Sequence, residues 1–292
     1  MFDESFLSQL KRWNEKTSLK NLKFNRGIER ETLRVSKDGS ISNRPHPEAL
    51  GSPLTNPYIT TDFAEALIEL VTPKFDNVDD LYSCLHDLHV FTAQNIDEDE
   101  YLWAHSMPCR IENESDINIA NYGTNDSGML KHIYRKGLRA RYGSIMQCVS
   151  GIHYNFSIDT ASYKNLLGDK YTQDMVDDLY LGLIRNFKRN FWFILAQLAA
   201  SPVADKSYVS GRSHDLDELN ADDVFLPNAT SLRMSNIGYQ SPIQTSLGIR
   251  YNSLAGFIES VNKGIKMPHP DFKDLGLYDD DDDRHQISDG II

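Results

Sequence analysis

The feature that most constrains this chain is the stretch FNRGIERETLRVS, Phe24 to Ser36. It reads as a strand, in which alternate side chains point to opposite faces. Glu29 and Glu31 then share one face, and Arg30 and Arg34 take the other. Side chains two apart on a strand stand roughly 7 Å from each other. Carboxylates that close repel unless positive charge lies between them. Two readings follow: the pair holds divalent ions, or it lies on a sheet face where both acids meet water.

Other acidic and polar sets bear on that choice. Asp62 sits just before a strand predicted over Glu65–Thr72, closed by Pro73, in which Glu65, Leu67, Glu69 and Val71 share a face. Glu69 is flanked by Leu67, Ile68, Leu70 and Val71, so it is expected to be partly buried and to need a partner. Either a metal ion or an arginine such as Arg30 or Arg34 would serve. In SIMQCVSGIHYNFSI, also read as a strand, Gln147, Gly151, His153 and Asn155 fall on one face. Histidine is a common metal ligand and amides orient polar ligands; the same residues could equally be satisfied surface groups.

Positive charge collects in SGMLKHIYRKGLRARYG, a predicted basic helix ended by Gly143. It carries Lys131, Arg135, Lys136, Arg139 and Arg141 with no acid between Ser127 and Tyr142. It is either a site for phosphate or carboxylate or a solvated face paired with acidic neighbours. Tyr134 and Arg135 adjoin its apolar side. Arg233 lies among Leu232, Met234 and Ile237, where a semi-buried guanidinium needs an anion. The run Asp279 to Asp283 lacks the glycine and distal glutamate of a calcium loop and reads as a solvated turn.

Around these sets the chain mixes strands and helices without βαβ alternation, which predicts an α+β fold with a mainly antiparallel sheet. Asn77 is expected to cap a helix striped by Val78, Leu81, Leu85 and Leu88. Met175, Leu179, Leu183, Phe187, Phe191 and Leu195 mark a long helix. Gly211 to Asp223 reads as a surface loop. A last helix is expected over NSLAGFIESVNKGIK, capped by Asn252, with Glu259 paired to Lys263. No repeat or linker divides the 292 residues.

A net charge of −12 argues against general binding to nucleic acid or anionic membrane. Three cysteines, Cys84, Cys109 and Cys148, without any CxxC, point to a reducing compartment. The N-terminus has acids where a signal peptide needs basic residues. Phe6, Leu7, Leu10 and Trp13 predict an amphipathic helix there instead. The most apolar window, Phe191 to Ala200, is too short to cross a bilayer. A cytoplasmic, soluble chain is expected. Glycine-rich phosphate loops, GxSxG and HExxH are absent, so any bound nucleotide would be held by metals and arginines. The residues alone therefore describe an enzyme with a carboxylate-rich, magnesium-binding sheet face and nearby arginines. A non-catalytic domain with internally paired acids is the alternative.

The stretches RGIERETLRV, HPEALGSPLTNPYITTDFAEALIELVTP, SMPC, YRKGLRARYG, MQCVSGIHYNFS and LPNATSLRMSNIGY, taken together and in order, resemble the proteobacterial type of glutamate–cysteine ligase. The resemblance implies a glutamine-synthetase-like curved antiparallel sheet with flanking helices. It implies ligation of glutamate, through its γ-carboxylate, to cysteine with ATP and Mg2+ (or Mn2+), the first step of glutathione synthesis. By the same resemblance Glu29, Glu31, Asp62, Glu69 and His153 bind metal. Tyr134, Arg135, Gln147, Asn155, Arg233 and Tyr239 line the substrate pocket, with Arg233 and Arg135 in catalytic roles. Members of the family continue beyond Ile292 through strands that supply another metal-binding glutamate and a substrate arginine. Residues 1–292 are thus expected to be a single catalytic domain, the N-terminal part of a longer ligase, with an incomplete metal set and an unclosed sheet. A non-catalytic remnant and a ligase for another amine are the alternatives.

Overall fold

The computed structural model describes residue 8 and residues 22–238, 247–268, 270–279 and 283–288. The predicted N-terminal helix (Phe6, Leu7, Leu10, Trp13) and Tyr239 lie outside those residues. Strand β1 (Phe24–Ser36) is the hub. It is followed by β2 (Ile59–Thr61), β3 (Leu67–Val71), helix α1 (Val78–Asn95), β4 (Glu100–Leu102), α2 (Asp126–Tyr142) and β5 (Ile152–Ile158). Then come α3 (Thr160–Leu167), α4 (Gln173–Leu198), β6 (Val203–Asp205), β7 (Asp217–Glu218), β8 (Asp223–Phe225), α5 (Leu254–Lys266) and α6 (Pro270–Asp274).

Every pairing between these strands is antiparallel. β3 takes one edge of β1 over Glu29 to Leu33, and β2 flanks β3. The other edge of β1 receives β5 over Phe24 to Arg30 and β4 over Arg34 to Ser36. The α+β class with a mainly antiparallel sheet therefore holds. Period-2 alternation sorts the core. On the face of Glu29 and Glu31, further along β1, Leu33 and Val35 join Leu67, Phe63, Met107, Ile111 and Tyr208 in the main hydrophobic cluster. On the opposite face Ile59, Ile68 and Leu70 pack beneath Leu85 and Leu88 of α1.

Local signals placed several boundaries. The Asn77 side chain accepts from the Asp79 N–H and starts α1; Gly143, at φ 78°, ends α2 where a side chain would be strained. Elsewhere the structure corrects expectation. The stretch around Gln147 is not strand: Ile145–Cys148 form a 3-10 turn and β5 begins only at Ile152. Glu65 precedes β3, and its carboxylate accepts the backbone N–H groups of His46 (2.6 Å) and Asn121 (2.5 Å), so it is used by loops rather than by a sheet face. Within the expected loop Gly211 to Asp223, β7 forms a short hairpin with β8. Ser253, not Asn252, caps α5, and Glu259 pairs with Arg250 at 2.5 Å rather than with Lys263. Val78, as the first residue of α1, is exposed. The ends of the acidic run do turn on each other, through Asp279 N–H to Asp283 O at 3.0 Å.

Candidate active site

Three strands build one acidic face. Glu31 on β1 lies directly opposite Glu69 on β3, and Glu29 lies opposite His153 on β5, with Gly27 opposite Asn155. Residues facing each other across an antiparallel pair are the closest neighbours a sheet offers, and like charges there destabilise it. Glu29 is partly answered. Its carboxylate accepts from Asn155 Nδ2 at 2.8 Å and from His153 Nδ1 at 3.1 Å. A proton on Nδ1 leaves the lone pair on Nε2, and Nε2 stands 3.9 Å from Glu31 Oε1.

Glu69 is not answered. Among the described residues its carboxylate has no lysine or arginine within ion-pairing distance, so of the two partners open to it, a metal ion or an arginine such as Arg30 or Arg34, the arginine is not supplied. Arg30 instead donates to the Glu31 carbonyl at 3.0 Å, and Arg34 pairs with Glu100 at 2.9 Å. Burial, and then the charges of Asp62, Glu31 and Glu29, push Glu69 up to about 7. Glu31 is raised by burial and by Asp62, and Asp62 by burial. Ligand atoms from Glu29, Glu69 and His153 all lie within 4.8 Å of one another.

Two arginines border this face. Arg233, in a 3-10 turn over Leu232–Met234, brings Nη1 to 4.0 Å from Glu31 Oε2. That Nη1 is buried and has no hydrogen-bond partner. Arg135 on α2 donates to the backbone carbonyls of Asp62 and Thr61 and stacks 4.6 Å from the Tyr122 ring centroid. The Tyr122 hydroxyl in turn donates to the Thr61 carbonyl at 2.7 Å. Arg135 thus fixes the loop that presents Asp62.

The structure gathers Glu29, Glu31, Asp62, Glu69, His153, Asn155 and Arg233 at one face, with Arg135 behind Asp62. It does not put Gln147 on the strand with His153: Gln147 is buried in the 3-10 turn, its Nε2 without a partner. Tyr134 stands exposed on α2. Most of the other basic residues of α2 are occupied elsewhere. Lys131 lies over Tyr122, Lys136 pairs with Asp283, and Arg141 donates to Gln286 at 2.8 Å. The sequence reading missed Tyr122 and the seat that Gly151 makes for Arg233. Gly151 occupies the position just before β5, and no spacing rule marks a glycine kept for its emptiness.

The sequence model of the glutamate–cysteine ligase family matches residues 7–292. A glutamate–cysteine ligase of Pseudomonas putida is 46% identical over 258 residues, 87% of this chain but 49% of that protein. One of Saccharophagus degradans is 42% identical over 91% of this chain and 51% of its own length. The chain therefore spans about half the length of the curated relatives it matches. Among solved structures, a glutamate–cysteine ligase of Francisella tularensis in complex with AMP superposes with a TM-score of 0.87 at 39% identity, covering 93% of this chain and 54% of that one. A bifunctional glutathione synthetase of Pasteurella multocida gives 0.69 at 30% identity, over 84% of this chain and 30% of its own.

Proposed function

Since the chain belongs to the glutamate–cysteine ligase family, we propose that its acidic sheet face serves the ATP- and magnesium-dependent joining of L-glutamate, through its γ-carboxylate, to the amine of L-cysteine. The observation that carries this is the surplus of carboxylate. Glu31 faces Glu69 across the strands with Glu29 and Asp62 beside them, and no lysine or arginine of the described residues answers Glu69. Oxygen donors in majority with one imidazole suit magnesium or manganese better than softer metals. Glu29, Glu31, Asp62, Glu69 and His153 would hold the ion. Bound there, it supplies charge neutralisation for phosphoryl oxygens.

The remaining steps belong to the side chains and the substrates. The γ-carboxylate of glutamate attacks the γ-phosphorus of ATP and ADP leaves. The cysteine amine then attacks the acyl carbon, phosphate leaves, and the amine loses a proton. Negative charge gathers on the phosphoryl oxygens, so preplaced cationic groups are the main catalytic device. Arg233, half-buried with Nη1 lacking a hydrogen-bond partner, would meet the glutamate or the transferring phosphate. Arg135 anchors Asp62. Asn155 orients Glu29 and would border the substrate. The net charge of −12 accords with small-molecule substrates rather than nucleic acid, and a cytoplasmic location is part of the proposal.

Phosphate release measured with ATP and magnesium, adding glutamate and cysteine singly and together, tests the proposal. Release that needs both amino acids, with γ-glutamylcysteine confirmed by mass, is the expected outcome. Release with glutamate and a different amine would move the assignment to a related ligase. No release and no magnesium-dependent ATP binding would sink it. Glu29→Ala and Arg233→Ala should each lower the rate by about 10²–10³ while leaving circular dichroism native-like.

A further inference from the structure

We propose that Gly151 is a positioning residue: its missing side chain seats the Arg233 guanidinium and holds it apart from Glu31. Gly151 exchanges two hydrogen bonds with Glu31. The Glu31 N–H donates to the Gly151 carbonyl at 3.0 Å, and the Gly151 N–H donates to Glu31 Oε2 at 2.5 Å. A Cβ added at Gly151 would overlap Nη1 of Arg233 and come within 3.0 Å of Cζ and 3.1 Å of Nη2. The guanidinium therefore rests on the bare Cα. Gly151 is not among the glycines in the left-handed region, so space rather than backbone conformation is the reason for glycine here.

The seat has an electrostatic consequence. A free arginine beside a buried carboxylate would close to a direct, charge-assisted contact near 2.8 Å. Arg233 stays at 4.0 Å, and Glu31 Oε2 is already occupied by the Gly151 N–H. Collapse of the pair would quench both partners, the carboxylate needed for a cation and the guanidinium needed for an anion. Gly151 keeps both available. The ligand side of this inference rests on the proposed function; the seat itself does not.

Gly151→Ala tests it in two independent ways. With arginine side chains labelled with 15N, the Arg233 Nε–Hε resonance (assigned by its loss in Arg233→Lys) should shift or broaden in Gly151→Ala; an unchanged resonance overturns the proposal. Calorimetry with ATP in the presence of magnesium and glutamate should show an affinity loss of about tenfold. The same change in an Arg233→Lys background should cost less than about twofold, and Mn2+ affinity read by electron paramagnetic resonance should be unmoved in both. Equal losses with and without Arg233, or loss of Mn2+ binding, would mark Gly151 as a purely structural residue. If Gly151→Ala fails to fold, Gly151→Ala/Arg233→Ala should restore folding, and failure to do so also overturns the proposal. A wild-type chain that binds neither ATP nor glutamate refutes the proposed function, while the arginine resonance still decides the role of Gly151.

Discussion

The C-terminal end of β1 and its middle both lie against buried acid and treat it in opposite ways. At the end, Arg34 is fully buried and offers Nη1 to both oxygens of Glu100 at 2.9 Å. Its Nη2 donates to the carbonyls of Arg44, Pro45 and Glu65, and Ser42 also donates to Glu100. In the middle, only a few residues earlier, Glu31 and Glu69 face each other and the nearest guanidinium nitrogen stays 4.0 Å from the Glu31 carboxylate. Charge that serves the fold is neutralised from within; charge left over must be neutralised by something the chain binds. The contrast, rather than the mere presence of acids, distinguishes a site from a buried ion pair.

The contrast can be broken from either side. Arg34→Ala strands a buried carboxylate and should cost about 3–5 kcal/mol, visible as a large fall in the urea midpoint. Saturating Mg2+ or Mn2+ should raise stability by about 2.7 kcal/mol at a hundred times the dissociation constant, read as a rise in Tm that Glu69→Gln removes. Without metal, Glu69→Gln should move the other way from Arg34→Ala. Relieving the repulsion across the strands should stabilise the chain by about 0.2–1 kcal/mol, and a loss of stability would mean Glu69 has a partner in the fold.

A pH-dependent effect concerns His46, beside the Arg34 end. Burial first, and Arg34 second, lower its value from 6.5 to about 4. The unfolded chain binds the extra proton between those limits, so this contribution to stability is full above pH 6.5 and is lost as pH falls toward 4. His46→Gln should flatten the acid limb of the stability curve over that window; an unchanged limb would place the acid sensitivity elsewhere.

The pairing of Glu29 with Glu31 was legible because a strand's period is invariant, and the same rule set Glu69 on one strand face and His153 with Asn155 on another; Asp62, outside any strand, joined the metal set only through the family resemblance. What could not be read was which acid had an internal partner. Arg34 looked available to Glu69, yet register places it opposite Leu102, beside Glu100, 66 residues away. Gln147 was misplaced because β-branched and aromatic neighbours resemble a strand, whereas the chain makes a 3-10 turn before β5. The long helix was found by its four-residue repeat. Its stripe, however, is only half covered: Met175, Leu179, Leu183 and Phe187 on α4 are 37–49% exposed. Periodicity reports that a face is apolar and not what lies against it.

The partners of β1 differ in when a growing chain can supply them. Glu31 meets Glu69 after a short excursion, but Asn155 and Glu29 are 126 residues apart. β3 ends at Val71 and β5 begins at Ile152, so at about 5–20 residues per second a ribosome leaves an interval of roughly 4–16 s in which β1 and β3 can pair while β5 has yet to be made. The face bearing the carboxylates therefore exists first on β1 and β3, with the Phe24 to Arg30 edge of β1 open. Of the residues that would hold the ion the histidine arrives last, so during synthesis that set is complete only as β5 closes the open edge of β1.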